Sequence, residues 1–251
     1  MKHPSRRAPL AGALLACLFA GVWCLAAPRA AHAQAGVTAT PSPAAQQPTT
    51  GAGAQVQPPQ TERERRAQAY AKLLEGQRYY MRSRTGAMTV ETLRLAQQAF
   101  RKAAELDPTL SEAHTALGEM AFLFLDDLAQ AEQEGLTAVR INPDNLGARR
   151  LLSRIYALKS NLAEEKLDRA FADKAIAELK EVIRLRPSDA EAWALLAEFH
   201  LALGREKEAV EALSTWATLP AATDGRFYQV VSRGRELSPD AANARLGEVL
   251  L

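Results

Sequence analysis

The 251-residue chain has only two cysteines, Cys17 and Cys24, both near its start. Beyond Cys24 there is no thiol, so no disulfide staples the rest and no thiolate is available to bind a metal or attack a substrate. Histidine is almost as scarce, and only His114 and His200 lie beyond residue 33. With no third ligand at metal spacing they do not make a zinc site. Each falls at a packing position of a predicted helix and is read as a satisfied core residue. Glycines are scattered, and no Gly-rich stretch follows a predicted strand, which argues against a phosphate-cradling loop. Carboxylate pairs such as Asp126-Asp127 and Glu164-Glu165 suit a solvated face as they stand. These absences argue against an enzyme, and no cofactor or metal is expected.

Excess charge of one sign is also missing. The whole chain has 31 Lys and Arg against 29 Asp and Glu. Removing residues 1–33 takes away Lys2, Arg6, Arg7 and Arg29 and leaves 27 basic against 29 acidic residues. The isoelectric point above neutrality therefore comes from the first residues and not from a basic face, and no nucleic-acid partner is expected.

Those first residues have an organisation of their own. A basic start is followed by an uncharged run from Ala8 to Pro28, then by Ala31-His32-Ala33. That pattern reads as a signal peptide over 1–33, cleaved after Ala33. The uncharged run is also long enough for an uncleaved membrane anchor. Both readings hold the basic start inside and export the rest, to the periplasm or beyond, free or anchored to the inner membrane. Pro9 breaks a twin-arginine pattern at Arg6-Arg7, and the apolar lead-in to Leu14-Leu15-Ala16-Cys17 is short for a lipoprotein box. Residues 34–60 are Ala, Gln, Pro, Thr, Gly, Ser and a few Val, with neither charge nor ring. They cannot bury enough apolar surface to offset ordering, and are read as a disordered tether.

From Thr61 the charge returns and apolar residues recur at steps of three and four. The clearest unit is Pro187 to Pro220, where Trp193, Leu196, Ala197 and His200 share one helix face. Gly204 stops that helix, and Ala209, Leu213 and Trp216 line a second one. Pro108, Pro143, Pro187 and Pro220 mark the period, with one insertion in the third unit. In order and spacing Trp193, Leu196, Ala197, Gly204, Ala209 and Pro220 resemble the tetratricopeptide repeat. The resemblance implies an all-α, right-handed superhelical solenoid of helix-turn-helix repeats. About five helix pairs are expected over 61–251, at 61–108, 109–143, 144–187, 188–220 and 221–251. Within them Thr109 and Glu112 are expected to cap a helix, and Gly135 to leave loose packing where the family usually has an aromatic. Asn161–Lys174, with a cap at Asn161 and Glu164 and a Glu165–Arg169 pair, is expected to lengthen a helix by two or three turns.

The resemblance also implies a binding face, since the first helices of such repeats line a concave groove. On that face fall Glu112, Thr115, Glu119 and Phe122, then Arg150 and Arg154, then Glu191 and Glu198. Their sign alternates from acidic to basic to acidic. Phe122 is expected to face the groove as an aromatic anchor while Leu117, Ala121 and Leu125 pack, with Arg150 and Arg154 holding an acidic group. Only that middle pair is basic and no Asn accompanies it, which disfavours the chaperone-clamp version of the family. The expected function is a non-catalytic protein–protein scaffold of the bacterial cell envelope. The alternative is an accessory domain of an exported enzyme system that holds a carbohydrate or peptide. Leu246, Val249, Leu250 and Leu251 give the last helix an apolar ending, expected to be covered by another copy, a partner or further sequence.

Overall fold

Apolar residues at helical spacing wind into ten helices in a computed structural model, which describes residues 61–84, 89–164, 166–222 and 225–251. They are α1 (Glu62–Arg84), α2 (Val90–Leu106), α3 (Ser111–Phe124), α4 (Leu128–Ile141), α5 (Leu146–Lys159), α6 (Arg169–Leu185), α7 (Ala190–Ala202), α8 (Glu206–Ala217), α9 (Arg226–Val231) and α10 (Pro239–Leu250). The expected signal and tether lie outside the described residues. No strand occurs among the described residues, and no helix there is long and apolar enough to cross a membrane. The fold is an all-α solenoid.

Side-chain caps set many of the helix starts. Asp127, Asn145, Asp168, Asp189 and Ser238 each accept a hydrogen bond from the first turn of the helix they precede. Thr89 and Thr92 do so reciprocally at α2. Gly204, at φ 69°, closes α7 in the left-handed region, where a Cβ would be strained.

Four pairs stack in sequence: α1 on α2, α3 on α4, α5 on α6 and α7 on α8, with each second helix also against the next first helix. Small residues sit at the contacts. Ala96, Ala103, Ala113, Ala121, Ala131 and Ala138 are fully buried or nearly so, which lets helix axes approach closely.

Three local expectations need correction. Asn161–Lys174 is helical only from Arg169. The chain turns after α5, where Asn161 takes φ 56°, and α6 begins only at Arg169 under its Asp168 cap. Asn161 therefore ends a helix instead of starting one, because its short amide side chain tolerates the left-handed region. The expected Glu165–Arg169 pair rests on Glu165, which lies outside the described residues. The Thr109–Glu112 cap is absent as well: the amide and hydroxyl of Thr109 both donate to Asp107 Oδ1, at 3.0 and 2.6 Å. Gly135 is not loosely packed. A Cβ there would stand 2.9 Å from Leu152 Cδ2, so a leucine of the next helix fills the space an aromatic would take.

The last expected pair also differs. α10 packs on α8, where the first helix of a further repeat would stand, while α9 turns inward onto α5 and α7.

Gly76 tests the close packing. Its Cβ would stand 2.5 Å from Cε1 and 2.6 Å from Cδ1 of Phe100, a ring only 2 % exposed. Gly76→Ala is expected to destabilise by about 1–3 kcal/mol, read from the urea midpoint at unchanged slope.

Candidate functional site

The first helices α1, α3, α5 and α7 stand side by side, and the eight residues expected to line a groove fall on the last three of them. Where it lies on α5 and α7, their alternating charge is mostly turned away from solvent. It closes on itself between neighbouring repeats. Arg154 of α5 donates to Glu191 Oε2 of α7 from Nε at 3.0 Å and Nη2 at 2.6 Å. Arg150 pairs with Asp189 at 3.2 Å and reaches Glu191 at 3.8 Å. Glu191 is buried, and burial pushes its carboxyl above the usual carboxylate range although Arg154 and Arg150 pull it down. Desolvation thus outweighs attraction, as in many buried pairs. The two arginines are inter-repeat cross-links and not a free grip for an acidic group.

Glu198 is engaged likewise, by the Tyr228 hydroxyl at 3.1 Å, Arg235 Nη1 at 3.1 Å and Arg245 Nη2 at 3.3 Å. Thr115 is buried and donates to Ser111 O at 3.1 Å. Glu112 is exposed and accepts from the Ser111 hydroxyl at 3.2 Å, while Glu119 is half-buried. Asn145, which caps α5, also donates to the Ser111 hydroxyl at 3.0 Å and ties α5 to α3.

Phe122 does not stand open either. It is half-buried, its ring 6.2 Å from that of Phe227 in α9, and it packs against the core. Leu117 and Ala121 are buried as expected, but Leu125 is 48 % exposed, since α3 ends one residue before it.

The residues that fill the groove come from Gly225 to Leu237, a segment expected only to start the last helix pair. Phe227 lies between Phe122 and Arg154, whose guanidinium carbon is 5.3 Å from the ring centroid. Tyr228 is fully buried, edge-on to Trp216 at 5.4 Å. Arg233, at φ 60°, donates from Nε at 2.8 Å and Nη2 at 2.5 Å to the Ala163 carbonyl in the turn after α5. Val231 and Leu237 are buried beneath. The aromatic pair Phe227-Tyr228 followed by Arg233 and Arg235 was the available signal in the sequence.

Toward the N-terminus the same face is open. Tyr70, Leu74 and Met81 of α1 are 53, 59 and 55 % exposed. Gly76 against Phe100 marks the side of α1 that faces α2, and Tyr80 against Phe124 marks the side toward α3. Continuing in that rotational sense, the three apolar residues lie roughly 120–160° from Gly76, on the inner face.

Neither histidine joins this site. His114 Nδ1 is 2.8 Å from Glu134 Oε2. His200 is in the core as expected, but its Nδ1 has no partner, and burial pushes the imidazole below its usual range. It lies beside a cleft of about 370 Å³ bounded by α6, α7 and α8, with Lys180, Trp193 and Glu208 among the lining residues. No group of three metal-ligating residues occurs among the described residues.

The family model described as tetratricopeptide repeat matches residues 162–233. No curated protein matches the sequence. Several solved structures are similar. A thermophilic tetratricopeptide repeat protein of Thermus thermophilus is 22 % identical over 72 % of this chain and 90 % of its own, with a TM-score of 0.47. A MamA fragment from Desulfovibrio magneticus RS-1 is 17 % identical over 73 % and 93 %, at 0.48. YrrB, described as a repeat protein with an unusual peptide-binding site, is 18 % identical over 70 % and 74 %, at 0.46.

The cross-link makes a quantitative prediction. Arg154→Met leaves Glu191 buried beside only the more distant Arg150 and is expected to cost about 3–5 kcal/mol in urea unfolding. The double change Arg154→Met with Glu191→Met is expected to recover most of that, because no uncompensated charge is left.

Proposed function

With tetratricopeptide repeat sequence over residues 162–233, set in a solenoid of stacked helix pairs, we propose that the chain is a non-catalytic scaffold that binds another protein on its inner face. Repeats of this kind suit a protein-interaction role. The observation that carries the reading is the open half of that face, where Tyr70, Leu74 and Met81 form one exposed apolar stripe along α1. Amphipathic or extended partner segments bind such stripes through a few apolar anchors. Phe122, Arg150, Arg154, Glu191 and Glu198 serve this reading by supporting the face, since each is engaged within the chain.

The stripe can be tested without disturbing the fold, because its side chains are exposed. In the full chain, Tyr70→Glu with Leu74→Glu is expected to shift stability by no more than about 0.5 kcal/mol per site. Proteins captured by the wild type and identified by mass spectrometry are expected to fall at least tenfold in the variant. Equal capture by both would overturn the assignment of this face.

The setting we propose is the bacterial cell envelope, with the chain exported by its first 33 residues or held by them at the inner membrane. The support is the basic start, the uncharged run from Ala8 to Pro28 and the Ala31-His32-Ala33 end. Fractionation with N-terminal sequencing is expected to find the protein outside the cytosol, beginning at Gln34 if the signal is cleaved. A cytosolic protein with Met1 intact would sink both the signal and the anchor.

A further inference from the structure

Resting on the scaffold reading, we infer that the C-terminal half of the inner face is a receptor for a segment bearing two adjacent aromatics followed by arginines. The chain's own Gly225–Leu237 occupies that receptor in cis. The segment touches the face as a ligand would. Phe227 enters between Phe122 of α3 and Arg154 of α5, Tyr228 reaches Glu198 of α7 and Trp216 of α8, Arg233 takes the Ala163 carbonyl, and Arg235 takes Glu198. Its contacts therefore run across three successive first helices, which no stacked repeat does among the described residues.

Tyr228, Val231 and Leu237 join the main core, yet two features set the segment apart from the stacked repeats. It contains a helix of only six residues, too short to hold itself without the groove, and it is followed by consecutive left-handed residues, Arg233 at φ 60° and Gly234 at φ 90°. Next to Arg154, which Phe227 touches, an acceptor is unused: Glu191 Oε1 is buried with no donor. A partner segment of the same aromatic and basic chemistry that supplies one donor at Glu191 makes every contact the internal segment makes and one more. The charge of the receptor fits such a partner. Glu198 already gathers Arg235 and Arg245, so the groove selects arginine, the reverse of the acidic ligand expected from Arg150 and Arg154 alone.

Occupancy in cis carries an effective concentration on the millimolar scale, so a segment added in trans competes at a handicap of roughly 100-fold. The probe is a labelled peptide of residues 225–237, followed by fluorescence anisotropy. The full chain carrying Phe227→Ala and Tyr228→Ala is expected to bind it at least 100-fold more tightly than the wild-type chain does. The peptide carrying the same two substitutions is expected to bind at least tenfold more weakly. Because Tyr228 is fully buried, a second variant guards against misfolding: Arg233→Ala with Arg235→Ala loosens the segment at exposed positions and is expected to raise peptide binding about tenfold and to speed amide exchange in 226–231. A folded variant of either kind that binds the peptide no better than the wild type would overturn the receptor. So would a wild-type dimer that exchanges these segments between copies, which would assign the groove to a second copy of the chain. Failure here with partner capture through Tyr70 and Leu74 intact would leave the scaffold reading standing, and the converse result would remove only the assignment of the α1 stripe.

Discussion

Close approach of helix axes is the constraint on which the rest of the molecule depends. Alanines recur at the contact points of every stacked pair, and Gly76, Gly118 and Gly135 stand where a Cβ would meet a neighbouring side chain within 3.0 Å. The contact at Gly76 lies within one pair, while those at Gly118 and Gly135 hold only when the next pair is present, because a helix pair buries one side against itself and the other against its neighbour. The first helices are thereby aligned along one face, and the turns between repeats come close enough for charged side chains to reach across them.

That spacing decides what the charges do. Arg150 and Arg154 sit four residues apart on α5, and the start of α7 brings Asp189 and Glu191 within reach of both. Once buried, such a pair is no longer a recognition element; it fixes the register between two repeats. Further along α7, Glu198 does the same for the C-terminal segment by holding Arg235 and Arg245. The inner face is thus divided. Its C-terminal half is filled by aromatic and basic side chains of the chain itself, and its N-terminal half presents apolar side chains of α1.

The repeat phase was legible in the residues themselves. Leu93, Ala96, Phe100 and Ala103 announce α2, Gly204 announces the end of α7, and Ser238-Pro239 announces the start of α10. These signals are local: a period, a cap, a stop. Asn161 shows where local signals mislead, since the same residue type can start a helix as a cap or end one in the left-handed region, and only the path of the following turn decides between them.

What the sequence determined by itself was the unit and its repetition, because helical spacing and caps act within a few residues of each other. It also determined which side chains share a helix face, including the eight assigned to the groove. Only the tertiary structure decided what those faces meet. Phe122 points as a helix wheel places it, yet whether it stands open depends on Phe227, which is 105 residues away in the chain and arrives through a segment that breaks the repeat. Arg154 is basic on any reading, yet Glu191 makes it a strut. Partners across repeats are set by rigid stacking over distances that no local pattern encodes, so shared helix faces were legible in the sequence while what covers them was not.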